Sequence, residues 1–359
     1  MKAEKSITNR IVKDVFISML LYATPVVLML IAFNITGAKP WETFVHKDVT
    51  SDNFLAQIFQ HLNTWGLPFI MLIIGVLEFA YGLYENRWTK NERVLDIVCF
   101  IIPKVIVGPS IAYLGLLVLP QVLPNAKGMF EWVPFWWGFF IIAVGDDLTQ
   151  YWYHRLHHQL PWLWRFHRTH HSAPYMGMAM SSRQNFWYTI FFSQIYFTTV
   201  MTYLGLGYEV LFVTGVKALI VTGAHSSIKW DKPFYKYKIL KPIGWVLERL
   251  ISTPATHHAH HADTDGDGVG HYKGNFGNMF FIWDLIFGTG IITRKYPSSY
   301  GIQFYKQEEW QAQFLWPFFK SKKEGSELHK DGPMVGDAST GELKVNTITI
   351  DDLKELKPA

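Results

Sequence analysis

Long uncharged blocks punctuate the first two thirds of this chain. Val15 to Ile35 runs 21 residues without a charge. At ~1.5 Å per residue a helix of that length crosses a ~30 Å hydrocarbon layer. It is longer than the ~7–15-residue core of a signal peptide, and no small-residue cleavage site follows, so we read it as a membrane span. A second block runs from Asn53 to Leu77. A third runs from Val105 to Pro124, and reaches back to Val98 if Lys104 snorkels or faces protein. A fourth, Trp132 to Gly145, leads straight into Asp146 and Asp147. Gln184 to Tyr208 and the apolar run from Val210 to His225 form either a hairpin of spans or re-entrant helices.

Lysine and arginine in the short flanks set the orientation. Lys2, Lys5, Arg10 and Lys13 precede the first span. Arg87, Lys90 and Arg93 follow the second, and Arg155, Arg165, Arg168 and Arg183 follow the fourth. Four spans place all three groups on the cytoplasmic side. Ser321 to Ala359 is rich in Lys, Glu, Asp and Gly, and reads as a solvated tail with one short strand at Lys344–Ile350 at most.

Composition agrees with this pattern. Of 359 residues 49% are hydrophobic and 17% charged, against about 25% charged in soluble domains. Disorder and nucleic-acid binding are excluded, and a net charge of +4 implies no polyanionic partner. The single cysteine, Cys99, excludes a disulfide framework and a cysteine-based metal site.

Histidine carries the chemistry. There are 15, and 12 lie between His154 and His271. His154 and His158 are four apart, one turn apart on one helix face. Asp147 and Tyr151 continue that stripe, and an acidic residue there suits a role in fixing the imidazole tautomer. Pro161 predicts a new helix near Trp162, which carries His167, His170 and His171 on one face. Thr253 predicts an N-cap and Pro254 the first residue of a third helix, with His257, His260 and His261 on one face and His258 off it. Eight histidines exceed one tetrahedral zinc, so two metals are the natural count. Nitrogen ligation alone fits iron, zinc, copper or nickel. Asp263 to Gly268 imitates an EF-hand start, but the twelfth position is Gly274, so we read a turn.

At these residues the chain resembles the fatty acid hydroxylase / sterol desaturase superfamily of integral-membrane di-iron enzymes. The boxes read HRLHH from His154, HRTHH from His167 and HHAHH from His257. Asp147, Tyr151 and Trp152, Thr253-Pro254, Asn275-Phe-Gly, and Trp283-Asp284 through Thr289 fit as well. The likeness covers about Pro134 to Thr289.

The resemblance implies an all-α integral membrane protein. It would have four or more transmembrane helices and a cytosolic helical cap holding a histidine-rich dimetal site. Residues 1–130 would be N-terminal spans, 131–290 the histidine-box domain and 291–359 a cytosolic, partly disordered tail. His225 matches the family's further ligand between boxes two and three. Asp147, Tyr151, Asn185 and Asn275, with Arg183 and His271, are candidates for supporting roles around the site or at its cavity rim.

The implied activity is O2-dependent hydroxylation or desaturation of an unactivated lipid C–H bond by two Fe ions. No Gly-rich dinucleotide fingerprint and no HPGG-type haem segment is present. The electrons are therefore expected from a ferredoxin or cytochrome b5-like donor with its reductase. A membrane zinc hydrolase would carry a glutamate inside a box such as HExxH, where Arg155 and Arg168 stand. A non-enzymatic haem or metal carrier needs one or two axial ligands and has no use for adjacent pairs such as His170-His171.

Overall fold

The computed structural model describes residues 67–80, 87–303 and 307–332. The Val15–Ile35 span, most of the second span and the Lys344–Ile350 strand lie outside the described residues. Those described are helical, and pair in β fashion only as isolated bridges at Ile251–Phe280, Ala262–Tyr300 and Ser321–His329.

Helix α1 (Leu67–Ala80) is followed by α2 (Lys90–Ile101), a π-helical turn (Ile102–Val107) and α3 (Gly108–Val122). The last three form one helical run, Lys90–Val122, long and apolar enough to cross a membrane. It starts earlier than its apolar block. Thr89 Oγ1 accepts from Glu92 N at 3.4 Å, and the charges of Glu92 and Asp96 are buried against Arg183 rather than left to water.

The fourth block is part of a longer helix, α4 (Phe135–Gln159), which continues through Asp146 and Asp147 into the first histidine box. Lys217 makes this continuation tolerable: its Nζ lies 2.5 Å from Asp146 and 3.5 Å from Asp147, so the charges are compensated where they are buried. Pro161 opens α5 (Pro161–His171). Its missing N–H is no loss in a first turn.

The apolar stretch after box two is a hairpin. It comprises α6 (Phe186–Ile190), α7 (Ser193–Met201), a short π segment and α8 (Gly207–His225). Gly205 has φ 104, and an added Cβ would meet Glu131 Cγ at 2.6 Å, so glycine makes the reversal. Gln194 and Lys217 both reach Asp146, which one straight helix would forbid. Thus Phe186–His225, the second run long and apolar enough for a membrane, folds back on itself. Its turn meets the loop between α3 and α4, where Gly128 N and Phe130 N donate to Tyr203 O and Leu204 O.

Small residues let these helices approach closely. A Cβ on Gly115 would touch Thr199, on Gly138 Glu209 and on Gly145 Phe197. Ile142, Ala143, Leu206, Val213 and Met279 form the core between α4, the hairpin and a later loop. Tyr113, Leu114, Val122, Trp136, Trp137 and Phe140 remain exposed, an outward apolar face that suits lipid.

Three short helices follow: α9 (Lys232–Lys236), the amphipathic α10 (Lys241–Leu250) and α11 (Pro254–His260). Then come α12 (Ile282–Ile286) and α13 (Trp310–Leu315). The reading of Ser321 onward as a solvated tail is corrected for the described part. Leu328 is fully buried, Arg168 pairs with Glu308 and Glu327, and Thr169 Oγ1 donates to Gln313 O at 2.8 Å. Charges that look solvated in the sequence are partners of the second box.

Candidate metal centre

Nine imidazoles converge where α4, α5, α8 and α11 meet. They fall into two groups. His154, His158, His167, His171 and His260 make one; His170, His225, His257 and His261 make the other. Within each, the nearest ligand nitrogens all lie within 4.8 Å of one another, and no side chain of the nine is more than 4% exposed.

Neither box two nor box three serves a single group. His167 and His171 enter the first group and His170 the second; His260 enters the first, His257 and His261 the second. The three imidazoles of each box share one broad helix face, and that face serves both groups. Residues i, i+3 and i+4 spread over enough arc on a short helix to address two points.

Backbone carbonyls fix the rings. His154 Nδ1 lies 2.7 Å from Phe276 O, His260 Nδ1 2.8 Å from Gly274 O, His170 Nδ1 3.1 Å from Arg183 O and His225 Nδ1 2.7 Å from Val221 O. A carbonyl only accepts, so each Nδ1 carries the proton and each Nε2 a lone pair. Yet His154 Nε2 and His260 Nε2 are 3.2 Å apart, and so are His170 Nε2 and His225 Nε2. Two buried lone pairs face each other in each group. The Nε2 atoms of His167, His171 and His261 are buried with no hydrogen-bond partner. A cation between them satisfies both features.

Burial pushes these histidines toward neutrality. His154 is pushed down to about 3, and His158, His167, His170, His171, His257, His260 and His261 lie well below 6.5. A neutral, deprotonated nitrogen is the form that binds metal. Five nitrogens in one group exceed the four that tetrahedral zinc accepts.

Residues 139–289 match the family model for fatty acid hydroxylase. They form a fatty acid hydroxylase domain. Alkylglycerol monooxygenase of Danio rerio is 25% identical over 185 residues, 48% of this chain and 37% of that protein. The matched part therefore spans little more than a third of that relative's length. No solved structure matches.

The fatty acid hydroxylase domain places the other candidates as supports. Asp147 was expected to fix a tautomer. Instead its carboxylate accepts from Met279 N, Phe280 N and Trp283 Nε1, and touches no imidazole. It anchors the loop that supplies the Phe276 carbonyl. Asp284 holds the same loop through Phe276 N and Gly277 N. Tyr151 OH lies 2.8 Å from Thr289 Oγ1, and its ring stacks on Phe287. Asn275, at φ 55, donates to Thr256 O and Ile291 O. It ties α11 to the segment after α12. His271 Nε2 sits 3.1 Å from Thr289 O, in the same set of turns. Asn185 caps α6 through Trp187 N and donates to Gln313 O and Trp316 O. The hydrogen bonds of Asp147, Tyr151, Asn185 and Asn275 thus go to backbone and non-histidine side chains among the described residues.

Arg183 is fully buried between Glu92 and Asp96, with Tyr175 OH also on Asp96. Its charge lies in this network; its carbonyl orients His170. His258 bonds Ser226 O and Tyr300 OH and belongs to neither group. The Asp263–Gly268 run is a turn, with Asp267 Oδ1 accepting from Val269 N and Gly270 N.

Sequence reasoning missed Gln184, whose Oε1 lies 3.2 Å from His167 Nδ1, and the carbonyls of Gly274 and Phe276. Carbonyls have no residue-type signature. Gln184 is one uncharged residue among many.

Both groups open on one cavity of about 370 Å³. His154 and His167 reach it from the first group, His170 and His225 from the second. It extends between the π turn, α7 and α8, past Pro103, Ile195, Ala218 and Val221.

Proposed function

We propose that this protein is an integral-membrane di-iron oxygenase that hydroxylates, or desaturates, an unactivated C–H bond of a lipid. The observation that carries the proposal is the shared cavity. Imidazoles from two buried all-nitrogen clusters meet in one space, and that space runs on between apolar helices. His154, His158, His167, His171 and His260 would hold one iron; His170, His225, His257 and His261 the other. When bound, the irons supply reductive activation of O2 and removal of hydrogen from an inert carbon.

The chain's own contribution is placement. The carbonyls of Phe276, Gly274, Arg183 and Val221 hold the Nδ1 protons, so that each Nε2 points inward. Asp147 and Asp284 hold the Phe276 loop. Tyr188 and Phe192 narrow the cavity beside the histidines and limit water.

In this reading four or more helices cross the membrane, and residues 1–130, 131–290 and 291–359 serve as spans, catalytic unit and cytosolic extension. Both termini and the histidine boxes face the cytoplasm. The electrons come from a separate ferredoxin or cytochrome b5-like protein with its reductase.

The test is metal analysis of detergent-purified protein loaded anaerobically with ferrous iron, beside a His170→Ala/His260→Ala double variant, followed by incubation with lipids, O2 and a reductase system. About two irons per wild-type chain, lost in the double variant, together with an oxidised lipid, are expected. A single tightly held zinc, or no bound metal, defeats the proposal.

A further inference from the structure

Lys104 is the one charge between Val98 and Pro124, inside the first membrane-length run. A charged side chain at that depth is costly and normally faces a partner or a cavity, where it has a function. It sits on the π turn Ile102–Val107, a rare geometry that recurs at functional sites. It lines the cavity shared by the two histidine groups.

The electrostatics of that wall are one-sided. Lys217 lines the cavity too, and no carboxylate lines it among the described residues. Lys217 is held from behind by Asp146 and Asp147. Lys104 makes no ion pair among the described residues, so its ammonium is available to whatever enters. Gln150 and Asn278 add side-chain amides to the same wall, while Gln194 donates to Asp146.

We propose that the cavity takes a lipid with an anionic head group, a carboxylate or a phosphate, and that Lys104 is its counter-ion. This rests on the reading of the cavity as the lipid site of an oxygenase. Head group and reacting carbon then share one cavity, so the charge sets which carbon lies beside the histidines. Lys104 is a specificity residue and belongs to neither histidine group.

The test is displacement of cis-parinaric acid, a fluorescent fatty acid, from the full chain in non-ionic detergent. Competitors of equal chain length carry a carboxylate, a phosphate (an alkylglycerol phosphate) or a neutral head (an alkylglycerol). Wild-type protein is expected to bind at least one anionic competitor about tenfold more tightly than the neutral one, the size of one charge-assisted contact. Lys104→Gln removes the preference and Lys104→Arg keeps it, with iron content unchanged in both. Preference for the phosphate alone, or for the carboxylate alone, identifies the head group. Equal binding of all three by wild type overturns the proposal without any variant, so a Lys104→Gln chain that fails to fold does not shield it. Selective binding with no oxidised product would strike at the oxygenase reading and leave the anion site standing. Equal binding with product would do the reverse.

Discussion

At the scale of single residues, a carbonyl oxygen decides which imidazole nitrogen faces inward. That is why neighbouring histidines in one box have different fates. His258 and His261 are three apart and equally buried, yet His258 spends both nitrogens on Ser226 O and Tyr300 OH, while His261 Nε2 has no such partner. We expect His258→Asn to leave metal binding unchanged at a stability cost of about 1–3 kcal/mol for the lost hydrogen bonds. His261→Ala should lower the metal content. Elemental analysis with a thermal melt separates the two, and equal metal loss in both would refute the assignment. The sequence made the nine residue types and their helical spacing legible. It did not make legible their division into five and four. That division depends on how α5 and α11 are rotated, which the Arg183 and Gly274 carbonyls and Gln184 settle.

Elements were legible where local chemistry dominates. Pro161 and Pro254 each open a helix because a first turn needs no N–H from them. The reversal within Phe186–His225 was not legible, because it rests on Gly205 meeting Glu131 far along the chain. Nor was the packing of residues 307–332, since composition records charges without their partners. Arg168 and Glu308 cancel in the fold; in the sequence both look solvated. Leu328 tests this packing. It is fully buried, so Leu328→Ala should cost about 2–5 kcal/mol. The readout is the thermal midpoint of the purified chain, and an unchanged midpoint would return the segment to a loose tail.

For the whole molecule, the buried histidines act together on stability. Ten outside the spans are held below 6.5 by burial, including His157 at about 4 and His258 at about 3. Unfolded, each takes a proton as pH falls through about 6.5; folded, each refuses it until far lower. The unfolded chain therefore binds more protons, and stability falls with pH at up to about 1.4 kcal/mol per unit for each group. The stabilisation is fully present above pH 7.5 and erodes below 6.5. The metal-free protein should melt at a nearly constant temperature above pH 7.5 and progressively lower from pH 7 to 5. A melting temperature that rises toward acid would contradict this.

The clasp of residues 307–328 on α5 also bears on the order of assembly. These residues leave the ribosome after all nine histidines, and the helix that supplies ligands to both clusters is braced by Glu308, Gln313 and Glu327. A nascent chain paused before residue 307 holds every ligand and lacks that brace. The bracing of α5 is therefore completed only after synthesis of the histidine boxes themselves.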